Sequence, residues 1–366
     1  LLESVSDSAG IKKWYWKSRH PMSTYLMVFS ASSDYKTENF NVTSKLTGNK
    51  IPVELYWRKG EDKESVDYIR KAMPYMLDFF EERFGKYPFE KIGFATLTSD
   101  FPYGGMENQS FITLCAGCWD ELLIVHEFSH QWFGDLVSPK SWKDLWLNEG
   151  FAEYMEAHWV EIWTPKEKNY YKSIIEDYAN YYFIINPKEA ISEKSWDYNT
   201  PPGGELYNPA LVYKKAACVI HMLRQELGDS TFFHLLKSFV TDPSLMYANA
   251  STEDFVKLTN EVSGKDYSWF FHQWLHFPGH PVYANRTRLF SENGADWLEI
   301  TFIQKEWERV YYKTNFELLV EYEDGSKEIF KGFNKENGET FRFRTGKGAK
   351  SVIFDPDNKI VLKKEE

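Results

Sequence analysis

Cysteine is scarce in this chain, with three residues in 366, too few for the disulfide framework of a small secreted scaffold. Cys115 and Cys118 form a lone C-x-x-C. No second pair accompanies them for a structural metal, and no βαβ setting for a redox motif, so free thiols or an incidental disulfide are expected there. Cys218, among Ala216, Ala217, Val219 and Ile220, reads as core. No apolar run approaches the roughly 18 residues that span a bilayer, and the N-terminus has no charged-then-apolar signal pattern. A soluble chain is expected. Positive charge is in deficit: 43 Lys and Arg stand against 54 Asp and Glu, a net charge of −11. That balance argues against a nucleic-acid partner and is compatible with cationic peptide ends. The chain begins at Leu1 without a methionine and reads as a processed or trimmed product. Repeats and low-complexity segments are lacking. The sequons at Asn41, Asn108, Asn249 and Asn285 matter only in a eukaryotic secretory setting, and the sequence does not distinguish a cytoplasmic from a secreted or periplasmic location, nor one oligomeric state from another.

What is present falls into three stretches of different pattern, which predicts an α+β multidomain chain. Within residues 1–58, positions 14 to about 57 alternate apolar and polar, as in Tyr25–Ser30 and Ile51–Trp57, and the segment reads as the closing strands of a β domain. A charged linker follows from Arg58 to Glu64. The next stretch, 59–278, is mostly helical: a helix from about Ser65 to Phe84 stops at Gly85, a strand covers 92–97, and helical spacing dominates from 120 to about 276. Breaks are expected at Pro165, Pro187, Pro201 to Gly204 and Pro243. From 279 to 366 short strands such as Leu298–Phe302, Asn315–Val320 and Ser351–Phe354 recur between turn signals, the pattern of an antiparallel β-sandwich domain.

The most informative segment is His126-Glu127-Phe128-Ser129-His130, followed 19 residues after its second histidine by Glu149. In a helix of about 3.6 residues per turn, positions four apart lie on one face, so both imidazoles can reach one metal ion with Glu127 beside it. Two imidazoles and a carboxylate form the ligand set of catalytic zinc sites that keep a fourth position for water. The flanking Leu122, Leu123, Val125, Phe128, Trp132 and Phe133 read as a buried helix. Glu149 sits on a further helical pattern running to about Ile162. Seven residues on, Glu156 returns to its face, where it either accepts the outer N–H of a ligand histidine or is simply solvated. Tyr103-Gly104-Gly105-Met106-Glu107-Asn108 pairs glycines that allow close backbone approach with a nearby negative charge. A helical pattern from Tyr207 to Leu227 carries two candidate phenol donors, Tyr207 and Tyr213, between which spacing does not choose.

Together, Gly-Gly-Met-Glu-Asn at 104–108, His-Glu-Phe-Ser-His at 126–130, Asn-Glu-Gly-Phe-Ala at 148–152 and Tyr213-Lys214-Lys215 resemble the alanyl and leucyl zinc aminopeptidases, the gluzincin family that also includes leukotriene hydrolase. The resemblance runs from about Pro21 to Pro281. It implies a thermolysin-like catalytic domain over 59–278, with one zinc per chain held by His126, His130 and Glu149, and Glu127 as general base. Glu107 would anchor the α-amino group of a peptide with a free N-terminus, Gly104, Gly105 and Met106 would pair with the peptide backbone, and Tyr103 would wall the first side-chain pocket. Tyr213 would be the oxyanion donor, with Glu156 behind a ligand histidine. Departures are equally plain. Only the last strands of the family's preceding β domain are expected, without its polar contribution to the amine site, Ala216 replaces a common glycine, and no helical C-terminal domain of the longer members is expected within the sequence. Rivals are an endopeptidase or epoxide hydrolase on the same site, and a catalytically silent peptide-binding relative.

Overall fold

The structure is a computed structural model that describes residues 2–8, 10–163, 169–305 and 310–366. The helices are α1 (Lys63–Phe84), α2 (Glu121–Ser129), α3 (Trp146–Trp163), α4 (Tyr170–Ile185), α5 (Gly203–Leu206), α6 (Ala216–Leu227), α7 (Asp229–Thr241), α8 (Thr252–Ser263) and α9 (Ser268–His276). The break expected at Pro165 lies outside the described residues. The chain divides into two compact units, residues 1–171 with 233–262, and residues 172–232 with 263–366.

In the first unit, β1 (Leu2–Ser8) and β2 (Ile11–Trp16) form a hairpin. β3 (Tyr35–Thr43), β4 (Lys50–Arg58), β5 (Ile92–Thr96), β6 (Gly105–Met106) and β7 (Ile112–Leu114) form one sheet in the order β3-β4-β5-β7-β6. β4, β5 and β7 run parallel, and β3 and β6 are the antiparallel edges. This sheet crosses the boundary expected at residue 58: Val53 and Leu55 of β4 are fully buried and pair directly with β5. The expected linker is a short turn, with Asp62 capping α1 through the N–H groups of Glu64 and Ser65. Gly85, at φ 92°, closes the helix as expected. Tyr25–Ser30 is not a strand. Only a 3-10 turn forms, Thr24–Leu26, and Met27 and Phe29 are 70% and 92% exposed. Among the described residues no strand runs beside this segment, so its alternation joins no ladder, and the Met27 N–H turns back to the Thr24 carbonyl instead. A short parallel pair, β8 (Val137–Pro139) with β9 (Ala248–Ala250), interrupts the stretch expected to be helical.

α2 packs against both α1 and α3: Phe128 is edge-on to Phe80 of α1, and just past the helix Trp132 stacks on Phe80 at 5.2 Å and Phe133 on Phe151 of α3 at 4.8 Å. The helix is shorter than the apolar pattern implied. It ends at Ser129, and Gln131, Trp132 and Phe133 continue as turns bonded to Phe128 and Ser129.

In the second unit, β10 (Val282–Tyr283) pairs with β17 (Lys364–Glu365). Two three-stranded antiparallel sheets follow, β11 (Arg286–Glu292), β12 (Ala295–Thr301) and β15 (Thr340–Thr345), and β14 (Lys327–Asn334), β13 (Thr314–Tyr322) and β16 (Ala349–Phe354). Leu298 and Ile300 from one sheet and Phe316, Leu318 and Val320 from the other fill a single core, the buried half of each alternating pattern. The sequence stretch read as one helix from Tyr207 to Leu227 is broken. A π-helical segment, Pro209–Lys215, carries Tyr213 and feeds into α6. Among the described residues no helix is long and apolar enough to cross a membrane.

Candidate metal centre and active site

α2 begins at Asp120, whose carboxylate accepts from the N–H groups of Leu122 and Leu123. That start places His126 and Glu127 in its last turn, and His130 is the C-cap with helical φ −58° and ψ −23°. The helical spacing therefore survives beyond the helix's end. The two imidazoles stand 4.9 Å apart, and the Nε2 of each lies 3.4 Å from Glu149 Oε2 on the first turn of α3. The outer nitrogens are held too: His126 Nδ1 donates to Glu156 Oε1 at 2.8 Å, and His130 Nδ1 to the Phe133 carbonyl at 3.0 Å. Carboxylate and carbonyl oxygens only accept, so both Nδ1 atoms carry a proton, and each Nε2 either donates a second proton to Glu149 or, in the neutral ring, turns a lone pair towards a cation at that point. Ligand atoms of His126, His130 and Glu149 fall within 4.8 Å of one another, a donor set that fits a tetrahedral divalent cation.

The electrostatics agree. Burial alone would lower the His126 pKa, yet hydrogen bonds that its ring donates to Glu149 and Glu156 raise it well above 6.5. Burial likewise opposes protonation of His130, and Glu107 and Glu149 bring it to about 9. Burial would raise Glu149, but its bonds to both histidines hold it at about 2. The carboxylates thus favour positive charge at this point, as protons on the imidazoles or as a divalent cation between neutral ones. Glu127 is pushed up to about 8, first by burial and then by Glu107 and Glu149, with the histidines partly offsetting. Its Oε2 is buried without a hydrogen-bond partner, and its Oε1 would lie 2.2 Å from a Cβ on Gly105. A titratable carboxyl with an open lone pair beside a metal position is equipped to take a proton.

Gly105 and Met106 form the edge strand β6, paired on one side with Leu114 and Thr113 of β7, while the Gly104 carbonyl accepts from Cys115 N at 2.8 Å. An edge strand can add an extended peptide on its other side. Just beyond it Glu107 is buried, and its ligand atom lies within 4.8 Å of those of Glu127 and His130. Cys115 and Cys118 are joined in a disulfide directly after β7, settling the two alternatives open for that pair. Tyr103 is 60% exposed and edge-on to Phe101. Glu156 is hydrogen-bonded to His126 rather than solvated. Tyr207 and Tyr213 both belong to the second unit and are half-buried.

Sequence reasoning missed two buried residues that hold Glu107. Asn148 Nδ2 donates to Glu107 Oε1 at 2.9 Å. Gln131 Nε2 donates to the Glu107 carbonyl at 3.2 Å and to Asp135 Oδ2 at 2.7 Å. The available signal was their position, since Gln131 follows one candidate ligand and Asn148 precedes another.

A helix pair presenting two imidazoles and a carboxylate, with a free buried carboxyl beside them and an edge strand alongside, defines a metallopeptidase-type site. The sequence profile described as the Peptidase family M1 domain matches residues 68–274, and the chain belongs to that family. Aminopeptidase N of Lactococcus lactis subsp. lactis is 30% identical over 289 residues, covering 74% of this chain and 32% of that protein. Endoplasmic reticulum aminopeptidase 1 of Mus musculus is 30% identical over 277 residues, covering 69% of this chain and 28% of its own length. The chain therefore spans about a third of these relatives. Among solved structures, Legionella pneumophila aminopeptidase A in complex with aspartic acid shares the fold with TM-score 0.78 at 17% identity, over 100% of this chain and 42% of that one. The M1 zinc metallopeptidase of Deinococcus radiodurans gives TM-score 0.63 at 23% identity, over 77% and 60%.

Proposed function

We propose that this chain is a zinc-dependent aminopeptidase that removes the N-terminal residue from peptides. The observation that carries this reading is Glu107, a buried carboxylate fixed beside the candidate metal ligands at the end of an edge strand. A negative charge there selects substrates that bring an ammonium group to it. His126, His130 and Glu149 would hold the zinc, which when bound polarises the scissile carbonyl and acidifies water. Glu127 accepts the proton of the attacking water and passes it to the leaving amine. Glu107 pairs with the terminal ammonium, Gly104 to Met106 hydrogen-bond the extended peptide, and Tyr103 borders the first side chain. Tyr213, assigned by its motif, donates to the oxyanion. Glu156 keeps His126 oriented. The same reading takes 59–278 as a thermolysin-like catalytic domain, with β3 and β4 lending it strands from the 1–58 segment, and 279–366 as a β-sandwich domain. Its partners are peptides with a free N-terminus.

The test compares unblocked dipeptides with their N-acetylated forms on the zinc-loaded chain. Cleavage confined to the unblocked peptides is expected. Comparable cleavage of both would replace the aminopeptidase reading with an endopeptidase one.

A further inference from the structure

Glu107 is held from two directions, and each tether is next in sequence to a candidate metal ligand. Gln131, directly after His130, is fully buried and uses its whole amide: Nε2 donates to the Glu107 carbonyl and to Asp135, while Oε1 accepts from Ser110 N at 2.8 Å and Tyr87 Oη at 3.3 Å. Asn148, directly before Glu149, is also fully buried, and its Nδ2 reaches the carboxylate itself at 2.9 Å. Room for that amide comes from Gly134, whose φ is 138° and on which a Cβ would stand 2.1 Å from Asn148 Oδ1. A side chain at 134 would push Asn148 off Glu107.

We infer that Asn148 is a positioning residue: it locks the Glu107 carboxylate to the same turn of α3 that carries Glu149, so that the distance from the bound ammonium to the metal position is set by one peptide unit. Gln131 does the same for the Glu107 main chain from the His130 side. An untethered carboxylate on a side chain with three rotatable bonds would sample several rotamers. One fixed by a charge-assisted hydrogen bond offers its charge at a single distance, which suits removal of one residue at a time. This inference rests on the aminopeptidase reading.

The test uses two probes on the zinc-loaded chain, phenylalanine hydroxamate and its des-amino counterpart, 3-phenylpropionohydroxamic acid, with affinities measured by calorimetry and metal content measured directly. Asn148→Ala is expected to weaken the free-amine probe roughly ten- to hundredfold, the scale of one hydrogen bond to a charged group, with the des-amino probe and metal content nearly unchanged. In a Glu107→Ala background the same substitution should add almost nothing, because the two side chains act as one unit. Should Asn148→Ala fail to fold, Asn148→Ser retains a short donor and should show a smaller loss with the same preference. Equal losses on both probes, or loss of metal, would overturn the assignment and make Asn148 a support for Glu149 alone. A wild-type chain that binds both probes equally would instead overturn the aminopeptidase reading, and this inference with it.

Discussion

Replacing Glu156 by alanine should loosen the metal without touching a ligand. Glu156 Oε1 accepts from His126 Nδ1 at 2.8 Å, and its side chain is 16% exposed. A hydrogen bond to a charged group contributes about 1.5–3 kcal/mol, and partial exposure argues for the lower half of that range. At 1.4 kcal/mol per factor of ten, zinc affinity should fall by roughly 10- to 30-fold, inside the span of about 10–100 for outer partners of ligand histidines. Glu156→Gln keeps an acceptor but no charge and should lose only a few-fold. The Phe133 carbonyl that holds His130 is main chain, so no side-chain substitution removes that bond directly. Competition with a chromogenic chelator at constant pH measures the affinities, and a thermal melt of the metal-free variants checks the fold. Unchanged affinity in Glu156→Ala would refute the argument by showing that packing alone orients His126. A different result is equally informative, because Glu153 and Glu156 also gather around His126. If Glu156→Ala abolished metal binding while Glu149→Ala preserved it, the ion would sit on the Nδ1 side and the ligand set would be wrong.

Glu127→Gln should keep metal and fold while turnover on an unblocked dipeptide falls by roughly two to four powers of ten; loss of metal would show Glu127 to be a ligand. Tyr213→Phe should lower turnover roughly a hundredfold or more with little change in stability, and Tyr207→Phe much less; the opposite ranking would move the donor role to Tyr207. Lys215 is fully buried, and that burial brings its pKa down to about 7. Between pH 7 and the ordinary lysine value of 10.5 the unfolded chain then binds a proton that the folded chain does not, so this lysine makes stability rise with pH across that window. Urea unfolding from pH 7 to 9.5 should show the rise in the wild type minus Lys215→Met difference; a flat difference would mean that Lys215 stays charged in the fold.

Local periodicity and capping determined much of this protein from sequence. Positions 126 and 130 share a face because the backbone around them is helical, even past the last residue of α2. Gly85 ends α1 where a residue with positive φ was required, and the buried alternation of β12 and β13 was written in their apolar residues. These are consequences of neighbours within a few residues. Longer contacts decided the rest. Alternation at Tyr25–Ser30 met no partner strand, whereas similar alternation at Ile51–Trp57 met β5 and joined the sheet. The π-helical turn around Tyr213 cannot be told from an α-helix by a pattern of apolar residues, since both present mixed faces at that length. Glu156 could have been solvated or bonded until α3 packed on α2 and set it 2.8 Å from His126. Gln131 and Asn148 looked like ordinary polar residues beside a motif. Only their complete burial, which leaves an amide N–H no water to turn to, directs one N–H of each to Glu107 and brings two separate motifs together.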